Sequence, residues 1–321
     1  MKAIIYENYG PPEVARLVER EKPTPQANQV LVKVFSSTVN RTDSGFRSAE
    51  YVISRFWSGL FRPKYQVLGS EFAGEIESVG SMVTRYKVGD RVFGFNDKTF
   101  GGHAEYMIIS EDQAMAILPD HLSYDVGACI TEGGHYALCD IRAAKIVAGQ
   151  HALVYGATGA IGSAAVQLLK SMGVRVTAVC NTKNVDLVKG LGADRVVDYQ
   201  TQDFTQTEER YHLIFDAVGK SSFSVCKKLL TERGIYVSTE LGKRGANVYL
   251  ALLTPLFSKK RVIFPIPTIN ADDVHYLLDL VTTGKFTPII DRSYHMEEIV
   301  EAYHYVQSGQ KTGNVVLKIR G

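Results

Sequence analysis

Two hydrophobic rhythms divide the chain. Over residues 1–120, apolar and polar positions alternate in short runs broken by glycine and proline. Stretches 2–6, 14–19, 29–36, 71–79, 91–95 and 103–109 read as strands, with Val30, Val32 and Val34 sharing one face of the third. Many short strands punctuated in this way predict a small barrel-like β domain. From about residue 123 the rhythm changes. A helix over 125–144 precedes strands at 151–155, 175–180, 195–198, 213–216, 234–239 and 262–265, with helices predicted at 185–191, 223–231 and 272–283. Strands alternating with helices predict a parallel, doubly wound sheet whose strand carboxyl ends form one ligand crevice. A strand at 288–292, a helix at 297–306 and a closing strand at 314–319 follow, the last expected to rejoin the first domain. The fold class is therefore α/β, divided as 1–122, 123–287 and 288–321.

The second rhythm is anchored on residues 151–170, HALVYGATGAIGSAAVQLLK. An apolar run meets a turn marked by Gly156, Gly159 and Gly162, after which Ile161, Ala165, Leu168 and Met172 recur at helical spacing. Glycine lets backbone approach a ligand, and the first turn of a helix offers unpaired N–H groups and a positive dipole end. The turn reads as a dinucleotide pyrophosphate site or as an ordinary tight strand-to-helix connection. Its GxxGxxG spacing differs from the usual GxGxxG and leaves both open. Beyond the next strand, Asn181, Thr182 and Lys183 stand where an NAD site carries an acid for the ribose hydroxyls. With no acid in that run and a lysine available for a 2′-phosphate, NADPH is expected over NADH.

Composition narrows the class. The 321 residues are 45% hydrophobic and 22% charged, an ordinary soluble globular composition, and a net charge of +2 is too mild to predict a nucleic-acid or membrane surface. Four cysteines without a CxxC pair predict neither a disulfide framework nor a structural zinc lobe, and point to a reducing cytoplasmic compartment. The opening MKAIIYENYG reads as a first strand, and no apolar run approaches membrane-spanning length. Residues 45–62 are aromatic-rich and hold the single tryptophan, Trp57. They read as a flap over a substrate site or as a helix packed on the barrel.

Five collinear stretches resemble the medium-chain dehydrogenases/reductases. They are Leu68-Gly69-Ser70-Glu71-Phe72-Ala73-Gly74 continuing to Val79-Gly80; Val88-Gly89-Asp90-Arg91-Val92; the glycine turn from Gly156 to Gly162; Leu191-Gly192-Ala193-Asp194 with Asp198-Tyr199; and Asp216-Ala217-Val218-Gly219. The last two resemble the zinc-less quinone oxidoreductase branch in particular, as do 258–267 and 312–317 in its plant members. The resemblance implies a GroES-like β-rich catalytic domain wrapped around an inserted Rossmann domain. It also implies a homodimer formed along the sheet edge at 262–265.

The resemblance further implies the chemistry. Zinc-dependent members of the family place a cysteine where this chain has Asn40, in Asn40-Arg41-Thr42-Asp43, and a histidine where it has Ser70. Amide and hydroxyl side chains are poor zinc ligands, so no metal is expected. Without a metal to lower the pKa of a bound hydroxyl, alcohol oxidation is disfavoured. Quinones and α,β-unsaturated carbonyls are already electrophilic and need only a hydride and a modest donor. The implied activity is NADPH-dependent reduction of a quinone or enone. A zinc-less alcohol or aldehyde dehydrogenase, or an NADPH-binding interaction protein, stand as alternatives.

Asn40 is expected to donate to the carbonyl, Asp43 to orient it or a water, and Tyr51 to be a proton donor or aromatic wall; a strand-end cap is the other reading for Asn40 and Asp43, and surface packing for Tyr51. Gly156, Thr158, Gly159, Ala160, Ile161 and Gly162 are expected on the pyrophosphate. Tyr199 is expected beside the 2′-phosphate with Asn181, Thr182 and Lys183. Val218 and Leu241 are expected along the nicotinamide ribose and Asn314 at the nicotinamide. Tyr136, where the branch usually has threonine, is expected to narrow the crevice or touch the cofactor phosphates.

Overall fold

The computed structural model describes residues 1–50 and 55–320. In chain order the strands and α-helices are β1 (Lys2–Ile5), β2 (Arg16–Glu19), β3 (Gln29–Thr38), α1 (Arg41–Ser48), α2 (Arg55–Ser58), β4 (Glu71–Val79), β5 (Arg91–Phe95), β6 (Tyr106–Ser110), β7 (Met115–Ile117), α3 (Tyr124–Ala128) and α4 (Thr131–Ala144). They continue with β8 (His151–Tyr155), α5 (Ala160–Ser171), β9 (Arg175–Cys180), α6 (Val185–Gly190), β10 (Arg195–Asp198), β11 (Tyr211–Asp216), α7 (Phe223–Cys226), β12 (Leu230–Ser238), α8 (Ala246–Phe257), β13 (Arg261–Ile263), α9 (Ala271–Thr282), β14 (Ile290–His295), α10 (Ile299–Gln307) and β15 (Asn314–Lys318). The chain forms two compact units. One comprises Met1–Glu132, Ile269–Leu278 and Ile289–Gly321; the other comprises Gly133–Thr268 and Asp279–Pro288.

The first unit is built on a seven-stranded, largely antiparallel sheet in the order β14-β15-β3-β4-β5-β7, with β6 also paired to β3. Val30, Val32 and Val34 lie fully buried along one face of β3, as their alternation predicts, and pack with Phe72, Ile76, Val92, Val315 and Leu317. Helix α10 closes this core with Ile299, Ala302, Tyr303 and Val306, an i, i+3, i+4, i+7 stripe. Burying each such aliphatic side chain contributes roughly 1.5–3 kcal/mol, so the core has ample stabilisation to hold polar side chains at its edge.

The second unit holds a six-stranded parallel sheet in the order β10-β9-β8-β11-β12-β13. Counting from β8 this is the doubly wound order 3-2-1-4-5-6, which reverses between β8 and β11 and makes a crevice at their carboxyl ends. Leu153, Val179, Ile214 and Tyr236 fill its centre. Strand β13 is an edge. No described helix is long and apolar enough to cross a membrane.

Local differences from the pattern have physical causes. The helix predicted over 125–144 is two helices, α3 and α4, because α4 restarts at Thr131, where its first donors turn onto the Glu71 carboxylate. The segment predicted as helix to residue 231 ends earlier, because Leu230 is drawn into pairing with Tyr211. On α5 the predicted stripe is wider than four residues. Ala164, Ala165, Val166, Leu168 and Leu169 are all buried, while Ile161 and Met172 at its ends are half-buried. The pattern missed β7 and α8 altogether.

Candidate active site

In the first unit, β3 ends at Thr38 and the chain turns into α1 through Asn40. Asn40 has extended backbone and caps the helix by accepting the Asp43 N–H at 2.8 Å. The cap is part of a closed ring. Asp43 Oδ1 accepts the backbone N–H groups of Gly69 (3.2 Å) and Ser70 (3.3 Å), and Ser70 Oγ accepts from Asn40 Nδ2 at 3.0 Å. Asn40 Nδ2 also reaches Thr38 Oγ1 at 3.4 Å. The two positions at which the resemblance places zinc ligands, Asn40 and Ser70, are thus bonded to each other. Gly69 has φ +89°, and a Cβ there would lie 2.5 Å from the His103 backbone nitrogen, so only glycine allows this approach.

Beneath the ring lies a set of buried carboxyls. Asp43 and Glu71 are fully buried and Glu132 nearly so. Glu71 Oε2 accepts from Thr38 Oγ1 at 2.5 Å, and Oε1 accepts from Thr131 Oγ1 at 2.8 Å and the Glu132 N–H at 2.6 Å. Burial, then the neighbouring Glu132, pushes the Glu71 carboxyl up to about 7 despite these donors. Burial likewise raises Asp43 well above the carboxylate range, with Glu132 adding to the effect. Among the described residues Asp43 Oδ2 has no hydrogen-bond partner, and it lies 3.7 Å from His103 Nε2. His103 is held neutral by burial, its pKa pushed down to about 4, and it donates from Nε2 to the Thr38 carbonyl at 2.8 Å. Lys311 and, more weakly, Arg41 are cations that act on Glu132. Among the described residues no three His, Cys, Asp or Glu side chains come together as a metal-binding set.

Also in this unit, Asn314 opens β15. Its backbone N–H and side-chain amide both donate to the Ile289 carbonyl, at 2.8 and 3.0 Å. Tyr51 lies outside the described residues.

In the second unit the expected cofactor residues gather at the carboxyl edge of the parallel sheet. Gly156 follows β8 with φ +81°, and its N–H and that of Ala157 both donate to the Val179 carbonyl at 3.1 Å. A Cβ at Gly156 would meet Val218 Cγ1 at 2.6 Å, so Val218 is seated directly on the turn. A Cβ at Gly162 would strike the Gly156 carbonyl oxygen at 2.1 Å, which explains the close helix–strand approach. Gly159 differs, because a Cβ there meets nothing within 4 Å. Gly159 is the N-cap of the 12-residue α5 and supplies no side-chain cap, leaving the first-turn N–H groups for a ligand. Thr158 and Ile161 border this opening half-buried, and Ala160 is buried.

The neighbouring strand ends complete the edge. Asn181 and Lys183 flank Thr182 in the turn after β9, and Tyr199, half-exposed, follows β10 with its N–H on the Cys180 carbonyl at 3.0 Å. The Thr182 hydroxyl donates to Asp198 at 2.6 Å, so its proton is turned inward. Leu241 lies half-buried after β12. Gly133 on α4 packs on Ala160, where a Cβ would lie 2.6 Å from the carbonyl oxygen. Tyr136 follows one turn later, half-buried, with its ring 4.4 Å from that of His135.

The structure therefore brings together Asn40 and Asp43 in one unit, and the glycine turn, Asn181 to Lys183, Tyr199 and Val218 in the other. Sequence reasoning missed Thr38, Glu71, Glu132, His103 and Lys311 as members of the polar cluster, and Asp198 and Gln200 beside Thr182. The one signal available was Ser70-Glu71 at the head of the apolar run that becomes β4.

Comparison with known proteins finds two family models along the chain. One is described as Alcohol dehydrogenase GroES-like domain and matches residues 26–120; the other is described as Zinc-binding dehydrogenase and matches residues 191–317. The chain is 28% identical to the chloroplastic quinone-oxidoreductase homolog of Spinacia oleracea, covering 99% of this chain and 98% of that relative. It is 29% identical to the 2-methylene-furan-3-one reductase of Solanum lycopersicum, covering 99% and 79%. The solved structure of a quinone oxidoreductase from Coxiella burnetii superposes with a TM-score of 0.88 at 28% identity, covering 100% and 99% of the two chains.

Proposed function

The chain belongs to the medium-chain dehydrogenase/reductase superfamily and is an oxidoreductase, and we propose that it reduces a quinone or α,β-unsaturated carbonyl with NADPH and without zinc. The observation that carries this reading is the 3.0 Å bond between Asn40 Nδ2 and Ser70 Oγ. Where zinc-dependent members of the superfamily would bind a metal, two neutral side chains satisfy each other, and the Asp43 carboxylate oxygen facing the ring is spent on the Gly69 and Ser70 N–H groups. An amide and a hydroxyl are a poor donor set for the Lewis acid that alkoxide formation needs, which favours substrates that are electrophilic already. The substrate classes named for the spinach and tomato relatives agree with this.

The residues present fit a dinucleotide. The open face of Gly159, at an uncapped helix N-terminus, receives a pyrophosphate, and Asn181, Lys183 and Tyr199 frame a 2′-phosphate. Bound NADPH supplies the hydride. Asn40 supplies the donor for the oxyanion that forms on the substrate. Of its two Nδ2 contacts, the 3.4 Å one to Thr38 is the weaker, and a carbonyl oxygen replaces it while the bond to Ser70 holds the amide in place. Asp43 orients the amide through the ring. Leu252, Leu256 and Phe257, exposed on α8 beside the edge strand β13, form the face of a homodimer.

The test is an NADPH-oxidation screen over quinones, alkenals and aldehydes, with metal content measured on the same sample. Turnover of quinones or enones by metal-free protein is expected. Activity confined to simple alcohols, or proportional to bound zinc, would refute the reading.

A further inference from the structure

Building on the NADPH reading above, we propose that Asp198 is a positioning residue for cofactor selectivity, clamping the turn after β9 in the shape that receives a 2′-phosphate. Asp198 is the last residue of β10, in register with Cys180, the last of β9. Its Oδ2 accepts the Thr182 hydroxyl at 2.6 Å and its Oδ1 accepts the Gln200 N–H at 3.0 Å. Gln200 Oε1 in turn accepts the Thr182 N–H at 3.0 Å. Thr182 is therefore held by both of its donors, one through the acid and one through a glutamine that the same acid orients. Asn184 Nδ2 donates to Asn181 Oδ1 at 2.8 Å and closes the short helical turn from the other side.

The clamp fixes what the turn presents. With the Thr182 hydroxyl directed to Asp198, the groups left facing outward are Lys183 and Tyr199, both solvent-accessible. Asn181 and Lys183 are the immediate neighbours of the clamped residue, so their placement depends on it. Two effects of Asp198 oppose each other. Its carboxylate, kept ionised by the Thr182 hydrogen bond, repels a phosphate. That repulsion acts at the surface, where water and salt screen it. The charge-assisted bonds to Thr182 and Gln200 are short-range and keep two phosphate-facing residues from paying their ordering entropy on binding. The clamp requires the short-range ordering to outweigh the screened repulsion, and the Asp198→Ala titration reads that balance directly.

NADH carries the same adenosine ribose without the 2′-phosphate, so the difference between the two cofactors isolates the phosphate contact. The experiment titrates NADPH and NADH by fluorescence against wild type, Asp198→Ala, Asp198→Asn and Thr182→Val, with thermal unfolding of each sample. Asp198→Ala and Thr182→Val are expected to weaken NADPH about five- to tenfold and NADH less than about twofold. Asp198→Ala combined with Thr182→Val, titrated in the same way, should be no worse than either single variant. Asp198→Asn keeps one acceptor oxygen, for Thr182, but sets an NH2 donor against the Gln200 N–H, and should fall between wild type and Asp198→Ala. Unchanged or tighter NADPH binding by Asp198→Ala, equal loss for both cofactors, or Asp198→Asn binding NADPH more weakly than Asp198→Ala would overturn the clamp. A wild type that prefers NADH would retract the NADPH reading and the clamp with it, which distinguishes the two failures.

Discussion

Replacing Gly159 with alanine separates cofactor binding from folding. Gly159 sits at φ −71° and ψ 171°, backbone that any residue adopts, and an added Cβ meets nothing within 4 Å. Alanine reduces the freedom of the unfolded chain, which stabilises by about 0.4–1 kcal/mol, and is a poorer N-cap than glycine by a similar amount. The two nearly cancel, leaving a net change within about 0.5 kcal/mol, or about 1–2 °C in melting temperature. The new methyl nevertheless occupies the space in front of the α5 N–H groups. NADPH affinity should therefore fall at least about tenfold, about 1.4 kcal/mol. Gly162→Ala is the control of opposite kind. Its Cβ would lie 2.1 Å from the Gly156 carbonyl oxygen, a backbone atom, so the turn itself must move, at a cost on the order of 1–3 kcal/mol. The assay is a cofactor titration and a thermal melt on the same preparations. Unchanged NADPH affinity in Gly159→Ala would show that the pyrophosphate does not lie on this turn.

Three further outcomes are expected. Lys183→Glu should weaken NADPH at least about tenfold and leave NADH within about twofold, measured by titration; equal effects on both would remove Lys183 from the 2′-phosphate site. Glu71 has its folded pKa raised from an ordinary 4.5 to about 7, so the folded state binds more protons than the unfolded one in that window, and this group's contribution to stability falls as pH rises through it. His103, lowered from 6.5 to about 4, acts in the opposite sense over pH 4 to 6.5, so the diagnostic quantity is the difference between wild type and Glu71→Gln in urea unfolding. That difference should shift against wild type by up to about 3 kcal/mol between pH 4.5 and 7; a pH-independent difference would contradict the buried-carboxyl assignment. Leu252→Glu with Phe257→Glu should convert a dimer to a folded monomer in sedimentation velocity, and a wild type already monomeric at micromolar concentration would refute the dimer.

Much of this molecule is legible in its sequence where structure follows from local pattern. The five-residue β8, its glycine turn and α5 stand where the apolar run and the glycines place them, because a buried strand and a tight turn leave a short-range signature. The carboxyl cluster left only Glu71 at the head of an apolar run. Glu71 is joined to Thr38 and Thr131 across 33 and 60 residues, and only the folded sheet brings them together. The same long-range contact breaks the helix that the pattern runs on continuously from 125 to 144. Helix α8, ANVYLALLTPLF, is apolar around most of its circumference and carries Pro255, so it has no single stripe for periodicity to find. Thr182 reads as a phosphate ligand from its place in the loop, yet its hydroxyl is held by an acid sixteen residues later. Side chains whose partners come from another strand are the ones whose roles pattern alone leaves undetermined.

Metal-free hydride transfer from NADPH to an electrophilic carbonyl system is read most directly by isotope labelling. Protein stripped with a chelator and assayed for residual metal is supplied with NADPH deuterated at the transferring carbon and an alkenone, and the product is analysed by mass spectrometry. One deuterium is expected on the carbon β to the carbonyl, at the same rate in metal-free as in untreated protein. Product without deuterium, or a rate that returns only when zinc is added back, would contradict it.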